Sequence, residues 1–269
     1  MGRKISLNLY LSYRTNVYII TRQHKIMFQE ITLAIIQAAT EFLPISSSGH
    51  LALVSNLISQ PNLFFFTALH LASLLAVLIF TRKEIFNLLT FKPEYKKLWF
   101  YWIIATIPAG VIGIIFQDFI ESTFSSLFYV GIGFLFSALI LFLTKFSHEY
   151  SGLNAKKSLL IGIFQAVAIL PGVSRSGMTI SAGLFQGLNR ETAAKFSFLM
   201  FIPVSLGAFL LELKDFYFDS GLLISFIICF ILSYVFINLL FRIIKQGKLW
   251  WFSIYCLIAG IVSLSLYLI

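Results

Sequence analysis

The chain has 269 residues, of which 59% are hydrophobic, 17% aromatic and only 12% charged. A soluble domain carries roughly 25% charged residues, so this composition excludes an ordinary cytosolic enzyme, a disordered hub and a nucleic-acid binder, and predicts an integral membrane protein. The net charge of +9, from 20 Lys and Arg against 11 Asp and Glu, then reads as basic cytoplasmic loops.

Residues 1–26, with Arg3, Lys4, Arg14, Arg22 and Lys25, are too short and too interrupted for a signal anchor. They read as an N-terminal extension, either disordered or upstream of a translation start at Met27, ahead of a single membrane domain over 27–269. A crossing helix needs roughly 20 mostly apolar residues. The first apolar segment, 31–57, is interrupted by Glu41 and then by Pro44-Ile45-Ser46-Ser47-Ser48-Gly49-His50. Three uninterrupted spans follow at 63–81, 98–116 and 124–144. A second broken segment, 159–188, carries Pro171-Gly172-Val173-Ser174-Arg175-Ser176-Gly177, and three more spans occupy 196–213, 222–242 and 250–269. Proline removes a backbone donor and biases the residue before it away from helix. The Ser/Gly clusters then supply a turn and a new helix start. Each half of a broken segment is too short to cross, so both are predicted as re-entrant helix–turn–helix hairpins. Cys229 and Cys256 lie inside apolar spans and read as reduced packing residues.

Loop charges fit that scheme from the first span onward, but it places residue 28 outside, next to the basic residues of 1–26. Arg82, Lys83, Lys92, Lys96 and Lys97 place the loop after the first span inside, and Asp118 and Glu121 place the next outside. Lys145, Lys156 and Lys157 return the chain to the cytoplasm, and Arg190 and Lys195 keep it there. The segment 159–188 must therefore enter and leave on one side. Lys214 among Glu212, Asp215 and Asp219 is external; Arg242, Lys245 and Lys248 are internal. Of the 20 basic residues, 13 fall in loops assigned to the cytoplasm, the bias that fixes the orientation.

A shift of 128 residues superposes the two breaks: Gln37 on Gln165, Ser46 on Ser174, Ser48 on Ser176 and Gly49 on Gly177. The three spans after each break also correspond. The predicted fold is an all-α polytopic membrane protein with an inverted-topology repeat, about 28–145 and about 156–269, each half one re-entrant hairpin plus three transmembrane helices. Broken helices in inverted repeats place a binding site where the breaks meet.

Gln37 and Glu41, four apart, share one helix face. A carboxylate inside the membrane costs about 2.5–3.5 kcal/mol or more without a partner, so Glu41 requires one. Arg175 in the opposite break and His50 beyond the first turn are predicted to converge on it. Ser46-Ser47-Ser48-Gly49 and Ser174-Arg175-Ser176-Gly177 each open a half-helix whose free N–H groups and positive dipole end suit a phosphate. Two such cradles and a bidentate arginine suit a diphosphate, and a carboxylate beside phosphate oxygens suggests Mg²⁺. The bland alternative is a structural Glu41–Arg175 pair locking the hairpins. His70, in the first span, reads as a packing histidine, and Pro108 and Pro203 as helix kinks.

The motifs Gln37-Ala-Ala-Thr-Glu41-Phe-Leu-Pro44-Ile-Ser46-Ser47-Ser48-Gly49-His50 and Gln165-Ala-Val-Ala-Ile-Leu-Pro171-Gly172-Val-Ser174-Arg175-Ser176-Gly177-Met-Thr179-Ile resemble those of the undecaprenyl-diphosphate phosphatase family, also called bacitracin resistance proteins. The resemblance runs from about residue 28 to the C-terminus. It implies a multi-pass enzyme of the bacterial plasma membrane, with its active site on the outer side, that removes the terminal phosphate of a polyprenyl diphosphate carrier for cell-wall recycling. It implies a lipid substrate and a divalent cation, Mg²⁺ or another such as Ca²⁺, and leaves room for a homodimer. The family's first-motif acidic pair maps to Gln37 and Glu41, so this chain keeps one carboxylate, assigned with Gln37 to the metal. His50, Glu41, Arg175 and Ser47 are the expected catalytic residues, His50 acting as a base toward water or toward Ser47. Ser46, Ser48, Gly49, Ser174, Ser176, Gly177, Thr179 and Gln165 are expected to bind substrate. The rival class is a flippase or transporter of a polyprenyl phosphate, which needs the anion site but no proton-transfer group.

Overall fold

The apolar runs of the sequence become helices. The computed structural model describes residues 26–55, 63–90, 93–212, 216 and 218–269. The N-terminal extension except residue 26, the end of the first broken segment, Lys92, Lys214 and Asp215 lie outside these residues. Helices α1 (26–42) and α2 (Ser47–Ser55) flank the first break, and α3 (Leu63–Phe80), α4 (Arg82–Leu89), α5 (Pro93–Ile115), α6 (Gln117–Phe124) and α7 (Leu127–Leu143) follow it. Helices α8 (Ala155–Val167) and α9 (Arg175–Phe185) flank the second break, and α10 (Arg190–Glu212), α11 (Ser220–Lys245) and α12 (Phe252–Tyr267) complete the fold. No strand occurs among the described residues.

The chain is a multi-pass membrane protein. Helices α5, α7, α10, α11 and α12 are long and apolar enough to cross a bilayer, and α3 joins them before a bend of 76° into α4. Each corresponds to one of the six spans read from sequence. Their outer faces carry unpaired apolar side chains, such as Ile103, Ile107 and Ile114 on α5 and Ile254, Ile258 and Ile261 on α12. In water such a belt would be destabilising; facing lipid it is the expected surface. Pro108 and Pro203 lie inside α5 and α10.

Between crossing helices, small residues set the contact, because lipid supplies no hydrophobic drive for association. Helix α7 runs along α12 and α5 along α8, while α3 packs on α10 and α11. At the α7–α12 crossing a Cβ on Gly131 would lie 2.7 Å from Leu264, and one on Gly260 would lie 2.7 Å from Leu135. Each glycine thus meets the residue four positions beyond its opposite number. That is a reciprocal, antiparallel contact.

The ends of the elements sort onto two faces. On one, Lys195 of α10 bridges Glu84 of α4 at 2.8 Å and Glu191 at 2.9 Å, Lys245 of α11 reaches Glu191 at 3.1 Å, and Arg190 pairs with Glu149 at 3.2 Å. On the same face the start of α8 meets the end of α9. Lys157 Nζ donates to the Gln186 carbonyl at 2.9 Å, and Gln186 Nε2 to the Lys157 carbonyl at 3.2 Å. The chain therefore enters α8 and leaves α9 side by side. At 13 residues, α8 is about 20 Å long, short of the roughly 30 Å a bilayer core requires. On the other face the Glu30 carboxylate, at the start of α1, lies against Gly221 at the start of α11.

Candidate active site

Two helix breaks build the site, and their local chemistry is the same. After Pro44 the chain turns through Ser46, which adopts φ 65°, the left-handed region that a non-glycine residue occupies only at a cost. Ser46 Oγ then accepts the Gly49 N–H at 3.2 Å and caps α2. After Pro171 the turn uses Gly172 at φ 82°, and Ser174 Oγ accepts the Gly177 N–H at 3.1 Å to cap α9. In both turns the capping hydroxyl also meets the serine two positions on, Ser48 at 3.2 Å and Ser176 at 3.4 Å. Such caps are worth about 1 kcal/mol each.

The two tips touch. Ser176 Oγ donates to the Phe42 carbonyl at 2.9 Å, a Cβ on Gly177 would lie 3.2 Å from Pro44, and one on Gly49 would lie 3.0 Å from Gly172. Helix α7 supports the second tip: Ser137 Oγ donates to the Gly172 carbonyl at 3.1 Å and accepts the Ser174 N–H at 2.9 Å. Phe42, fully buried edge-on to Phe198 and Phe201 of α10, anchors the first tip beside Glu41.

At the junction Arg175 Nη2 donates to Glu41 Oε1 at 2.6 Å, with Glu41 buried and Arg175 mostly so. The guanidinium also lies 4.1 Å from the centre of the Phe201 ring, a cation–π contact that holds its plane. Its second terminal nitrogen, Nη1, is buried without a partner. Glu41 Oε2 accepts from Ser47 Oγ at 2.7 Å and from Gln37 Nε2 at 3.0 Å, and His70 Nε2 stands 3.5 Å away. The Gln37 amide oxygen is buried and unpartnered. The site thus holds one carboxylate, one guanidinium, one imidazole, one serine hydroxyl and two buried polar atoms without a partner.

The structure joins Glu41, Arg175, Ser47 and Gln37, as their motifs suggest. The contacts of His50 are with other residues. Its Nδ1–H donates to the Ser46 carbonyl at 2.7 Å, and the Tyr255 hydroxyl donates to Nε2 at 2.6 Å while the two rings stack. The imidazole beside Glu41 is that of His70, read from sequence as packing. Its titratable ring inside an otherwise apolar span was the available signal. Tyr255 and Phe201 carried none, since ordinary aromatic residues crowd every span. Ser46 and Ser174 are used as caps, Ser48 meets Ser46, Ser176 ties the tips, and Gly49 and Gly177 supply the capped N–H groups. The Thr179 hydroxyl is bound by the Arg175 carbonyl at 2.9 Å and Ser197 at 2.6 Å, in the α9–α10 packing. Gln165 is buried with neither amide atom partnered.

Comparison with known proteins gives a consistent result. A family model described as bacitracin resistance protein BacA matches residues 30–262. The chain is 43% identical over 241 residues to the undecaprenyl-diphosphatase of Thermosipho africanus, a match covering 87% of this chain and 97% of that protein. It is 40% identical over 246 residues to the undecaprenyl-diphosphatase of Methanococcus maripaludis strain C7, covering 88% and 99%, and 37% identical over 258 residues to that of Korarchaeum cryptofilum, covering 88% and 98%.

Proposed function

Because the chain belongs to the bacitracin resistance protein BacA family, we propose that it hydrolyses undecaprenyl diphosphate to undecaprenyl phosphate and inorganic phosphate, and so confers bacitracin resistance. One observation carries the chemical reading: the guanidinium of one break and the carboxylate of the other meet between two capped half-helix N-termini, and Arg175 Nη1 has no partner. A diphosphate supplies what that nitrogen lacks. The dipole ends of α2 and α9 add to its hold on the anion.

Attack on the terminal phosphorus forms one P–O bond and breaks the bridging one, releasing the prenyl monophosphate. Ser47 Oγ, already donating to Glu41 Oε2 at 2.7 Å, is the hydroxyl nearest a base; where it attacks, water then cleaves the phosphoserine to free inorganic phosphate, and where a water attacks in its place the same carboxylate takes the proton. Arg175 offsets the charge gathering on the equatorial oxygens. His50 is held by the Ser46 carbonyl at Nδ1 and presents Nε2 to the Tyr255 hydroxyl, so Nε2 is the ring nitrogen available as a base.

A divalent cation, Mg²⁺ or another such as Ca²⁺, fits the donor set. Among the described residues no three His, Cys, Asp or Glu side chains gather into a closed cage, but Mg²⁺ is often held by one carboxylate plus substrate phosphates. Glu41 and the unpartnered Gln37 amide oxygen would hold it. It would supply charge neutralisation at the phosphate oxygens.

The inverted repeat with two re-entrant hairpins accounts for the symmetry of the site. Its supports are the matching Ser46 and Ser174 caps, 128 positions apart, the reciprocal Gly131–Gly260 crossing, and the side-by-side ends of α8 and α9. Positive-inside bias assigns the Lys195–Lys245 face to the cytoplasm, which places the start of α1 outside. The protein then sits in the plasma membrane with the site open to the outer side and the polyprenyl tail in lipid. The test is phosphate release from a polyprenyl diphosphate by detergent-purified protein with Mg²⁺. Binding without release would replace the hydrolase by a carrier.

A further inference from the structure

Outside the residues just used, His70 is the titratable side chain that meets Glu41 among the described residues. Its Nδ1 lies 2.9 Å from the Phe66 carbonyl. A carbonyl only accepts, so Nδ1 carries a proton and Nε2 is the ring nitrogen left to face Glu41. Nε2 stands 3.5 Å from Glu41 Oε2. The separation exceeds the 2.7–3.2 Å of a hydrogen bond. It is close to the spacing of two ligands on one ion: with metal–ligand distances of about 2.1 Å, the edge of a tetrahedral set is about 3.4 Å and that of an octahedral set about 3.0 Å, so an octahedral ion would draw the two side chains about 0.5 Å together. A backbone carbonyl fixing the remote ring N–H is also the usual outer contact of a ligating histidine. One turn from Glu41, Gln37 adds a buried amide oxygen with no partner, which a half-turn of the amide presents on the Glu41 side, where Nε2 now lies.

We propose that His70 Nε2 is a ligand, with Glu41 and the Gln37 amide oxygen, for the divalent cation that accompanies the diphosphate, and that this imidazole turns the site toward first-row transition ions such as Mn²⁺ over Mg²⁺. The proposal rests on the reading of the junction as a diphosphate site. Charge sets the order of binding. Glu41 and Arg175 already neutralise each other, so a bare dication enters a neutral pocket, whereas a cation bound with a diphosphate brings its own counter-charge. Imidazole nitrogen favours transition metals, while Mg²⁺ demands oxygen ligands. The first position of the motif's acidic pair is Gln37 here, and His70 fills the coordination that a carboxylate there would give.

The experiment uses the full chain in detergent with Mn²⁺ and methylenediphosphonate, a non-hydrolysable diphosphate. Electron spin echo spectra are expected to show nitrogen-14 modulation from a bound imidazole, lost in His70→Gln, and competition is expected to show the Mn²⁺-over-Mg²⁺ preference falling at least ~10-fold in that variant. Bound Mn²⁺ without nitrogen modulation, or modulation that survives His70→Gln, overturns the proposal. The wild-type spectrum alone decides if the variant fails to fold. Phosphate release from polyprenyl diphosphate is scored separately: release without nitrogen coupling removes the ligand and leaves the hydrolase, and coupling without release does the reverse.

Discussion

Arg175 has two separable duties, and substitutions can pull them apart. Nη2 neutralises Glu41 at 2.6 Å, with the side chains 13% and 6% exposed, and Nη1 is the donor left for substrate. Removing one partner of a buried pair costs about 3–5 kcal/mol, because the other charge stays buried alone. Losing one donor aimed at a transition-state oxygen costs about 100–1,000-fold in rate. Arg175→Ala should therefore lower both thermal stability in detergent and phosphate release, the latter by at least ~100-fold. Arg175→Lys keeps a charge for Glu41 but offers a single point rather than a fork. It should unfold within about 1 kcal/mol of wild type while still losing ~100-fold in turnover. Adding Glu41→Gln to Arg175→Ala removes the stranded charge and should recover most of the stability and none of the activity. The reasoning fails if Arg175→Lys turns over within tenfold of wild type, or if the double variant is no more stable than Arg175→Ala.

Other residues give sharper, narrower tests. His50→Ala should reduce phosphate release at least ~100-fold with the fold intact, whereas Tyr255→Phe, which frees Nε2 but keeps the stacked ring, should cost less than tenfold; equal losses would mean that His50 only positions the first turn. Ser174→Ala removes the cap of α9 and should cost about 1 kcal/mol, read as a lower unfolding temperature with substrate affinity reduced in parallel. Gly172→Ala should be far worse, since Gly172 has φ 82° and a Cβ there would lie 2.1 Å from the Val130 carbonyl oxygen of α7. Folded protein at wild-type yield would contradict the close approach.

The spans were legible because a membrane helix must be apolar over its whole length, and nothing else in a chain of this size produces six such runs. The breaks were legible for the opposite reason. Proline, serine and an ionisable residue inside apolar sequence are too costly to be incidental, so Glu41, Ser47 and Arg175 announced themselves. The position of His50 was not legible. Sequence places it one turn into α2 from Ser46, but the direction its ring takes depends on Tyr255, 205 positions away. His70 was visible as a titratable residue yet not as a neighbour of Glu41, because its distance from the first break along the chain says nothing of how α3 packs beside α1. The caps repeated faithfully since a capping bond is local, three residues long. The partners across the junction are set only by how two distant hairpins meet.

That meeting also bears on the choice between hydrolysis and carriage. A carrier must open the junction alternately to each side, which separates the tips. Here separation breaks the Arg175–Glu41 pair, the Ser176–Phe42 carbonyl bond and the Arg175–Phe201 contact at once, and strands a carboxylate away from water at about 3–5 kcal/mol. On the α7 side the second tip is fixed further by Ser137 and by backbone approaches at Gly133 and Gly172 that admit no Cβ. A hydrolase gains from such rigidity. Donors held in place before the substrate arrives need no reorganisation as charge develops on the phosphate, and a substrate whose tail stays in lipid needs its headgroup to enter and leave by one face only. The features that make the junction costly to open therefore make it suited to bond cleavage.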